Sequence, residues 1–284
     1  MRAATFSAMP SVPTLTFNNG VEIPQVGFGV FLIPDDETTV AVRAALDCGY
    51  RHIDTAMIYG NEQAVGRAVA EAPIDRSELF ITTKCWNTDQ GYDEARRAFD
   101  ASMDRLGLEY LDLYLIHWPV PSQDKYVDTW KAFEQLYSEG RVRSIGVSNF
   151  QPAHLQRLFD ETDTVPAINQ IELHPWLQQS ELRAFHDKHG IITEAWSPLA
   201  AGGDFLNDAT IGAIAKKHEV TPAQVMLRWH LDIGNVVIPK SGNPGRMASN
   251  IDLFSFRLDA DDHAQITDLD SGHRVGDDPD TLTI

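Results

Sequence analysis

Tyr50-Arg51-His52-Ile53-Asp54-Thr55-Ala56-Met57-Ile58-Tyr59-Gly60-Asn61-Glu62 is the run from which the rest of the chain can be ordered. Cys48-Gly49 closes a helical pattern just ahead of it, and Tyr50 to Ile53 reads as a short buried strand. Asn61 then stands where the N-cap of a new helix, Glu62 to Glu71, belongs. Asp54 and Tyr59 therefore fall where a strand ends and its loop turns into a helix. In a barrel of parallel strands that edge is where the loops converge and side chains from many strands meet. A carboxylate buried there alone is costly, so the chain is expected to supply a cation for it.

Working outward, strand and helix patterns alternate about eight times, the order of a (β/α)8 TIM barrel. Strands are expected at Gln25 to Gly29, Arg51 to Asp54, Phe80 to Thr83 and Leu111 to Ile116. The second half adds Ser144 to Ser148, Ala167 to Ile171, Ile192 to Ala195 and Val236 to Ile238. Between them lie helical patterns at Glu37 to Asp47, Glu62 to Glu71, Asp93 to Leu106 and Val127 to Glu139, then Pro152 to Phe159, Glu181 to His189 and Thr210 to His218. Thr221-Pro222-Ala223-Gln224 carries a capping box with Pro at the first helical position, so another helix starts there. Ahead of the barrel, Leu15-Thr16-Phe17 and Val21-Glu22-Ile23 flank Asn18-Asn19-Gly20, a β-hairpin signal. That hairpin is expected to close the barrel bottom.

The chain has 284 residues, 43% of them hydrophobic, enough for one large core. One domain over 1–284 is expected, with Met1 to Val12 a loose N-terminus. A net charge of −18, from 41 acidic and 23 basic residues, argues against nucleic acid or an anionic membrane as partner. Cys48 and Cys85 give no disulfide framework and suit a reducing, cytoplasmic location. No metal site and no stable assembly are expected, which leaves a monomer acting on a small molecule.

The chemistry sits on the strand ends. Phe80-Ile81-Thr82-Thr83-Lys84 is an apolar, β-branched strand finishing in a lysine, so Lys84 is the candidate partner for Asp54. Leu111-Asp112-Leu113-Tyr114-Leu115-Ile116-His117-Trp118-Pro119 is a second buried strand, ending in a histidine. A lone histidine there is most often structural. Four polar groups on three successive strand ends change those odds.

Asp54 to Tyr59, Thr82-Thr83-Lys84 and Ile116-His117-Trp118-Pro119 together resemble the catalytic tetrad of the aldo-keto reductase family: Asp54, Tyr59, Lys84 and His117. The resemblance runs from the hairpin near Leu15 to about Arg257 and lies nearest to bacterial diketogluconate-reductase-like members. It implies a (β/α)8 barrel that reduces carbonyl compounds with NADPH. The chemistry follows from the groups themselves. A hydride delivered to a carbonyl carbon leaves charge on oxygen, which needs a proton. Tyrosine, with an ordinary pKa of about 10, is a poor acid near neutrality. A buried ammonium favours the phenolate and is expected to lower that value. Lys84 would do this, Asp54 would offset the cost of burying Lys84, and a neutral His117 would orient the substrate oxygen.

For the cofactor, Gly27-Phe28-Gly29 opens no helix and makes no dinucleotide fingerprint. The resemblance instead points to Ser148, Asn149 and Gln170 for the nicotinamide carboxamide and to Trp196 as a stacking partner for the ring. Ser197 to Gly203, including Leu199, is a loop of small residues whose amides can approach a pyrophosphate. Lys240, Ser241 and Arg246 form a local cationic patch and resemble the family's adenosine-phosphate site, with Asn250 following. That patch favours NADPH over NADH. Ser249 stands where many relatives carry Glu. Phe31, Trp86 and Trp118 match positions that wall the family's substrate pocket. The tail from Ser271 onward is expected over the mouth, where Arg274 offers a contact for an acidic substrate. Two other classes stay open: a Schiff-base aldolase working through Lys84, and a non-catalytic NADPH-binding redox sensor.

Overall fold

The computed structural model describes residues 12–283, so the N-terminal stretch expected to be loose lies, apart from Val12, outside the described residues. β1 (Thr14–Thr16) and β2 (Glu22–Pro24) form the antiparallel hairpin, with Leu15 opposite Ile23. The alternating series follows. β3 (Phe28–Gly29) leads to α1 (Asp35–Asp47), β4 (His52–Asp54) to α2 (Glu62–Glu71) and β5 (Phe80–Cys85) to α3 (Tyr92–Leu106). β6 (Leu111–Ile116) leads to α4 (Tyr126–Ser138), β7 (Val142–Ser148) to α5 (Pro152–Glu161) and β8 (Ile168–Glu172) to α6 (Ser180–His189). After β9 (Ile192–Trp196) come α7 (Ala209–His218) and α8 (Pro222–Asp232), then β10 (Val236–Val237), α9 (Pro244–Ile251) and α10 (Ala260–Thr267).

β3 to β10 make one eight-stranded sheet in sequence order, every pair parallel. Its two edges meet. Val26 bridges Val237 in parallel, Gly27 N donates to Val237 O at 2.8 Å and Val237 N donates to Gln25 O at 3.0 Å. The strand expected over Gln25 to Gly29 thus serves mainly as this seam, and only Phe28–Gly29 is regular strand.

The strands are buried on both faces because helices cover one side and barrel packing fills the other, which is why they read as unbroken apolar runs. In β6, Leu113 and Leu115 join the interior cluster, while Tyr114 and Ile116 join the outer core under the helices. Tyr114 stacks on Phe133 of α4 at 4.4 Å and meets Phe99 of α3 edge-on at 5.0 Å. α3 buries Ala95, Phe99, Ser102, Met103 and Leu106, a single stripe at helical spacing, and Gly107 with φ 64° ends it. Truncating one such buried ring typically costs ~3–5 kcal/mol. Gly27 is required by a close approach: a Cβ there would stand 2.3 Å from Nδ1 of His52, whose ring fills the barrel interior.

The hairpin lies against the N-terminal ends of the strands. Asn18 Nδ2 donates to Pro166 O at 3.1 Å, Asn19 Nδ2 to Arg143 O at 3.0 Å, and Phe17 and Ile23 pack with Phe80, Leu113, Ile168 and Val236. It closes that end and leaves the opposite end open.

The expected cap on α2 needs correction. Asn61 occupies the N-cap position without a side-chain cap bond. Its Oδ1 accepts from Thr55 Oγ1 at 2.8 Å, and its Nδ2 donates to Val30 O and Ile33 O at 3.0 and 3.2 Å. The amide is spent on tying the loop after β3 to the loop after β4, which fixes the backbone that carries Tyr59. Thr221 behaves as expected: its Oγ1 accepts from Gln224 N at 3.2 Å, and Gln224 Oε1 accepts from Thr221 N at 3.0 Å.

Candidate active site

Lys84 is fully buried inside β5, one residue before its end. Its Nζ donates to Asp54 Oδ1 at 2.6 Å and to Thr55 O at 2.9 Å. Asp54, 1% exposed, closes β4 and uses its second oxygen to accept from Gln170 Nε2 at 2.9 Å. Burying two ions is repaid only when their remaining hydrogen-bond capacity is also met, and here most of it is. An ammonium has three N–H groups; Asp54 and Thr55 take two of them. The Tyr59 ring centroid lies 5.2 Å from Nζ.

Met57–Tyr59 form one 3-10 turn, and Gly60 at φ 69° lets the chain leave it for α2. Tyr59 is half-buried between Phe31 at 5.0 Å and His117 at 5.8 Å, centroid to centroid, and Trp86 meets His117 at 5.0 Å. Burial is the largest influence on the Tyr59 phenol and leaves it above its ordinary value; the Lys84 charge opposes that. The expected net lowering is therefore not what this geometry gives, because packing against aromatic neighbours outweighs one ammonium. Burial and the Lys84 charge hold His117 well below the usual imidazole range, so at neutral pH its ring is neutral. Its Nδ1 is buried with no partner. Burial alone would push the Lys84 ammonium down, but Asp54 and Tyr59 outweigh it and the balance is raised.

Above these groups opens a cleft of about 1020 Å³, at the upper end of the ~300–1,000 Å³ usual for small-molecule sites. Every residue singled out from the sequence as catalytic, cofactor-binding or substrate-binding lines it except Lys84, which lies beneath Asp54, and Arg274. Phe31 packs against Tyr59, Trp86 against His117, and Trp118 meets Trp196 edge-on at 6.4 Å. Polar groups line the cleft as well. Ser148 Oγ donates to Gln170 O at 2.8 Å, Asn149 Nδ2 donates to Ser148 Oγ at 3.1 Å and to His117 O at 3.0 Å, and Trp196 Nε1 donates to Asn149 Oδ1 at 2.8 Å. Trp196 is thus a braced, half-exposed face rather than a core residue. Asn149 reaches this network with φ 64°, a conformation asparagine tolerates better than most residues.

Beyond Trp196 the chain makes two tight turns, with Ser197, Ala200 and Ala201 at positive φ. They use the amides of Ala200 and Gly202 internally, toward Ser197 O and Leu199 O at 2.8 Å each. Those two amides are therefore occupied within the loop. At the far end Arg246 Nε donates to Ser241 Oγ at 3.1 Å, and the Asn243 side chain accepts from Arg246 N at 3.1 Å, starting α9.

Three features were not singled out from the sequence: the first turn of α8, Glu172, which holds the expected tail in place, and Glu194. The first turn of α8, Thr221 to Ala223, borders the cleft. The tail brings Val275, Gly276 and Asp277 to it, while Arg274 is not among its lining residues. That tail is latched by Glu172 at the end of β8, whose two oxygens accept from Val275 N at 2.6 Å and Gly276 N at 3.0 Å. The third is Glu194, an acid inside the apolar strand Ile192-Thr193-Glu194-Ala195-Trp196; its placement was the signal that could have found it. Glu194 is fully buried, and its Oε2 accepts from Gln170 Nε2 at 2.8 Å.

A protein 58% identical over 270 residues, 95% of this chain and 98% of its own length, is an aldo-keto reductase of Mycolicibacterium smegmatis. The methylglyoxal reductase DkgA of Escherichia coli is 50% identical over 273 residues, 96% of this chain and 98% of its own. The crystal structure of a Gox0644 variant in complex with NADPH is 51% identical, with a TM-score of 0.92 over 96% of this chain and 99% of that one. The model of the aldo/keto reductase family matches residues 26–271. The chain belongs to the aldo/keto reductase family.

Proposed function

We propose that this protein reduces aldehydes and ketones to alcohols with NADPH, and that Tyr59 is the proton donor. The observation that carries the reading is the buried Lys84–Asp54 pair at 2.6 Å beneath Tyr59, with a neutral His117 beside it at the floor of an aromatic-walled cleft. NADPH, when bound, supplies the hydride to the carbonyl carbon. His117 donates a hydrogen bond to the carbonyl oxygen, which fixes it beside the phenol. Tyr59 keeps its proton through neutral pH and gives it up as charge develops on that oxygen. Lys84 stabilises the phenolate so formed, and Asp54 holds Lys84 in place. Phe31, Trp86 and Trp118 exclude water from the reacting face.

The residues fit the cofactor. Trp196 offers a braced indole face, and Gln170, Ser148 and Asn149 supply acceptors beside it. Lys240, Arg246 and Ser241 lie at the opposite end, where a 2′-phosphate would need charge-assisted donors. A relative's complex with NADPH supports the same choice. A Schiff-base role for Lys84 fits poorly, because such lysines need a depressed pKa, and this ammonium is raised and pinned by two acceptors.

The direct test adds a panel of aldehydes and ketones to the protein with NADPH and follows loss of the reduced cofactor. Turnover with simple aldehydes is expected; borohydride trapping of substrate on Lys84 without cofactor consumption would move the protein to the aldolase class. Cofactor choice has its own test. Losing one charged hydrogen bond costs ~1.5–3 kcal/mol, roughly 10- to 100-fold in affinity. Lys240→Ala is expected to weaken NADPH binding by about that factor, more at low salt, and to leave NADH nearly unchanged. Equal weakening of both cofactors, measured as dissociation constants, would show that Lys240 does not read the phosphate.

A further inference from the structure

The Gln170 amide is held from behind by two carboxyl groups. Its single Nε2 lies 2.9 Å from Asp54 Oδ2 and 2.8 Å from Glu194 Oε2, so both of its N–H groups point into the barrel. An amide has two N–H donors and one carbonyl oxygen. With the donors committed, only the oxygen remains for the cleft, which Gln170 lines. Which end of an amide is nitrogen follows from its partners, and two carboxyl acceptors fix that choice. Asp54 alone would occupy one N–H and leave the other free to turn.

Resting on the NADPH reading above, we infer that Glu194 is a positioning residue of the reductase site: it locks Gln170 as a hydrogen-bond acceptor for the carboxamide N–H of the nicotinamide. Glu194 does not reach the cleft lining itself. It acts through Gln170, one strand away on β8, where Gln170 and Glu194 are register partners.

The surroundings account for an acid at this place. From β4, His52 faces it, with Nε2 3.8 Å from Glu194 Oε1, and so does Asp54; from β5, Lys84 does. β10, opposite Glu194 at Val236, brings only valines. His52 is pushed down to about 3, chiefly by burial, and is neutral, so it does not neutralise Glu194. Burial first, and the Asp54 charge second, raise Glu194 above the usual carboxylate range, against the pull of the Gln170 bond and of Lys84. Glu194 is thus held toward its protonated form, in which it still accepts through its carbonyl oxygen. As pH rises it becomes a carboxylate, a stronger acceptor that grips the amide harder.

The experiment measures NADPH dissociation constants for wild type, Glu194→Leu, Gln170→Ala and the double variant, with thermal melting as the check on folding. Glu194→Leu frees one N–H of Gln170 and is expected to weaken NADPH binding ~10-fold, the scale of one hydrogen bond. In the Gln170→Ala background the same substitution should change nothing further. Glu194→Gln keeps an acceptor and should stay within ~3-fold of wild type at pH 7. As pH rises from 7 to 9, wild-type binding should tighten by ~3-fold or more and Glu194→Gln should not follow. That arm decides the matter if Glu194→Leu fails to fold. An effect of Glu194→Leu that persists undiminished without Gln170, or identical pH dependence in wild type and Glu194→Gln, overturns the inference. If wild type itself binds no NADPH, the reading of function falls and this inference with it.

Discussion

Tyr59→Phe is expected to lower carbonyl reduction by a factor of ~100 or more while leaving NADPH binding near wild type, since general acid catalysis contributes ~10²–10⁴-fold. The substitution removes one hydroxyl and keeps the ring, so the contacts with Phe31 and His117 at 5.0 and 5.8 Å persist and the cleft keeps its shape. Neither the cationic end at Lys240 nor the Trp196 face is touched. The loss should appear in kcat, because the proton moves only as charge develops on the substrate oxygen. The phenol of the wild type lies above its ordinary value, so its proton remains through neutral pH, and the phenol's own titration limits reduction only on the alkaline side. In Tyr59→Phe that limb should vanish with the activity. Near-normal turnover of a simple aldehyde by Tyr59→Phe would sink the assignment of the acid and leave His117 as the group to examine.

Why so much of this site was legible follows from where its residues lie. Asp54, Lys84 and His117 are polar groups within one residue of the ends of strands too apolar to face water. Such placement is expensive unless the groups meet, and β4, β5 and β6 are hydrogen-bonded neighbours in register, so they do meet. The barrel itself was readable from alternation alone, and its hairpin floor from Asn19-Gly20. The same logic should have reached Glu194, which interrupts Ile192 to Trp196 just as Lys84 interrupts β5. It was passed over because its contact, Gln170, is a neutral amide, whereas Lys84 had the opposite charge of Asp54 to point to it.

Other misses have different causes. Asn61 has the right position and residue type for a cap, and local chemistry gave no hint that Thr55, Val30 and Ile33 would claim its amide first. α9 and α10 went unread although each carries a start signal. Asn243-Pro244 places a capping side chain before an N1 proline, and the Asp259 side chain accepts from Asp261 N and Asp262 N. Both helices are only eight residues long, which gives hydrophobic periodicity barely two turns to show itself. The direction of the Tyr59 shift was also out of reach, because it depends on how tightly Phe31 and His117 enclose the ring, and sequence states no packing distance.

Lys84→Met is the second large effect, and it separates structure from chemistry. Methionine matches the length of the lysine stem but leaves Asp54 buried with Gln170 as its remaining donor. Breaking a buried ion pair from one side typically costs ~3–5 kcal/mol, because the surviving charge is uncompensated. The variant should therefore melt at a clearly lower temperature than wild type. Reduction should also fall by ~100-fold or more, as the phenolate of Tyr59 loses the ammonium that stabilises it. Those two losses have different remedies. Adding Asp54→Asn removes the stranded charge and supplies an amide in its place, so the double variant should recover most of the stability. It should recover none of the rate, because no cation stands under Tyr59. Thermal melting and aldehyde turnover on wild type, Lys84→Met, Asp54→Asn and the double variant resolve the pair. If the double variant regains activity along with its melting temperature, Lys84 matters only as the counter-ion that lets Asp54 be buried, and the tuning of Tyr59 must come from elsewhere.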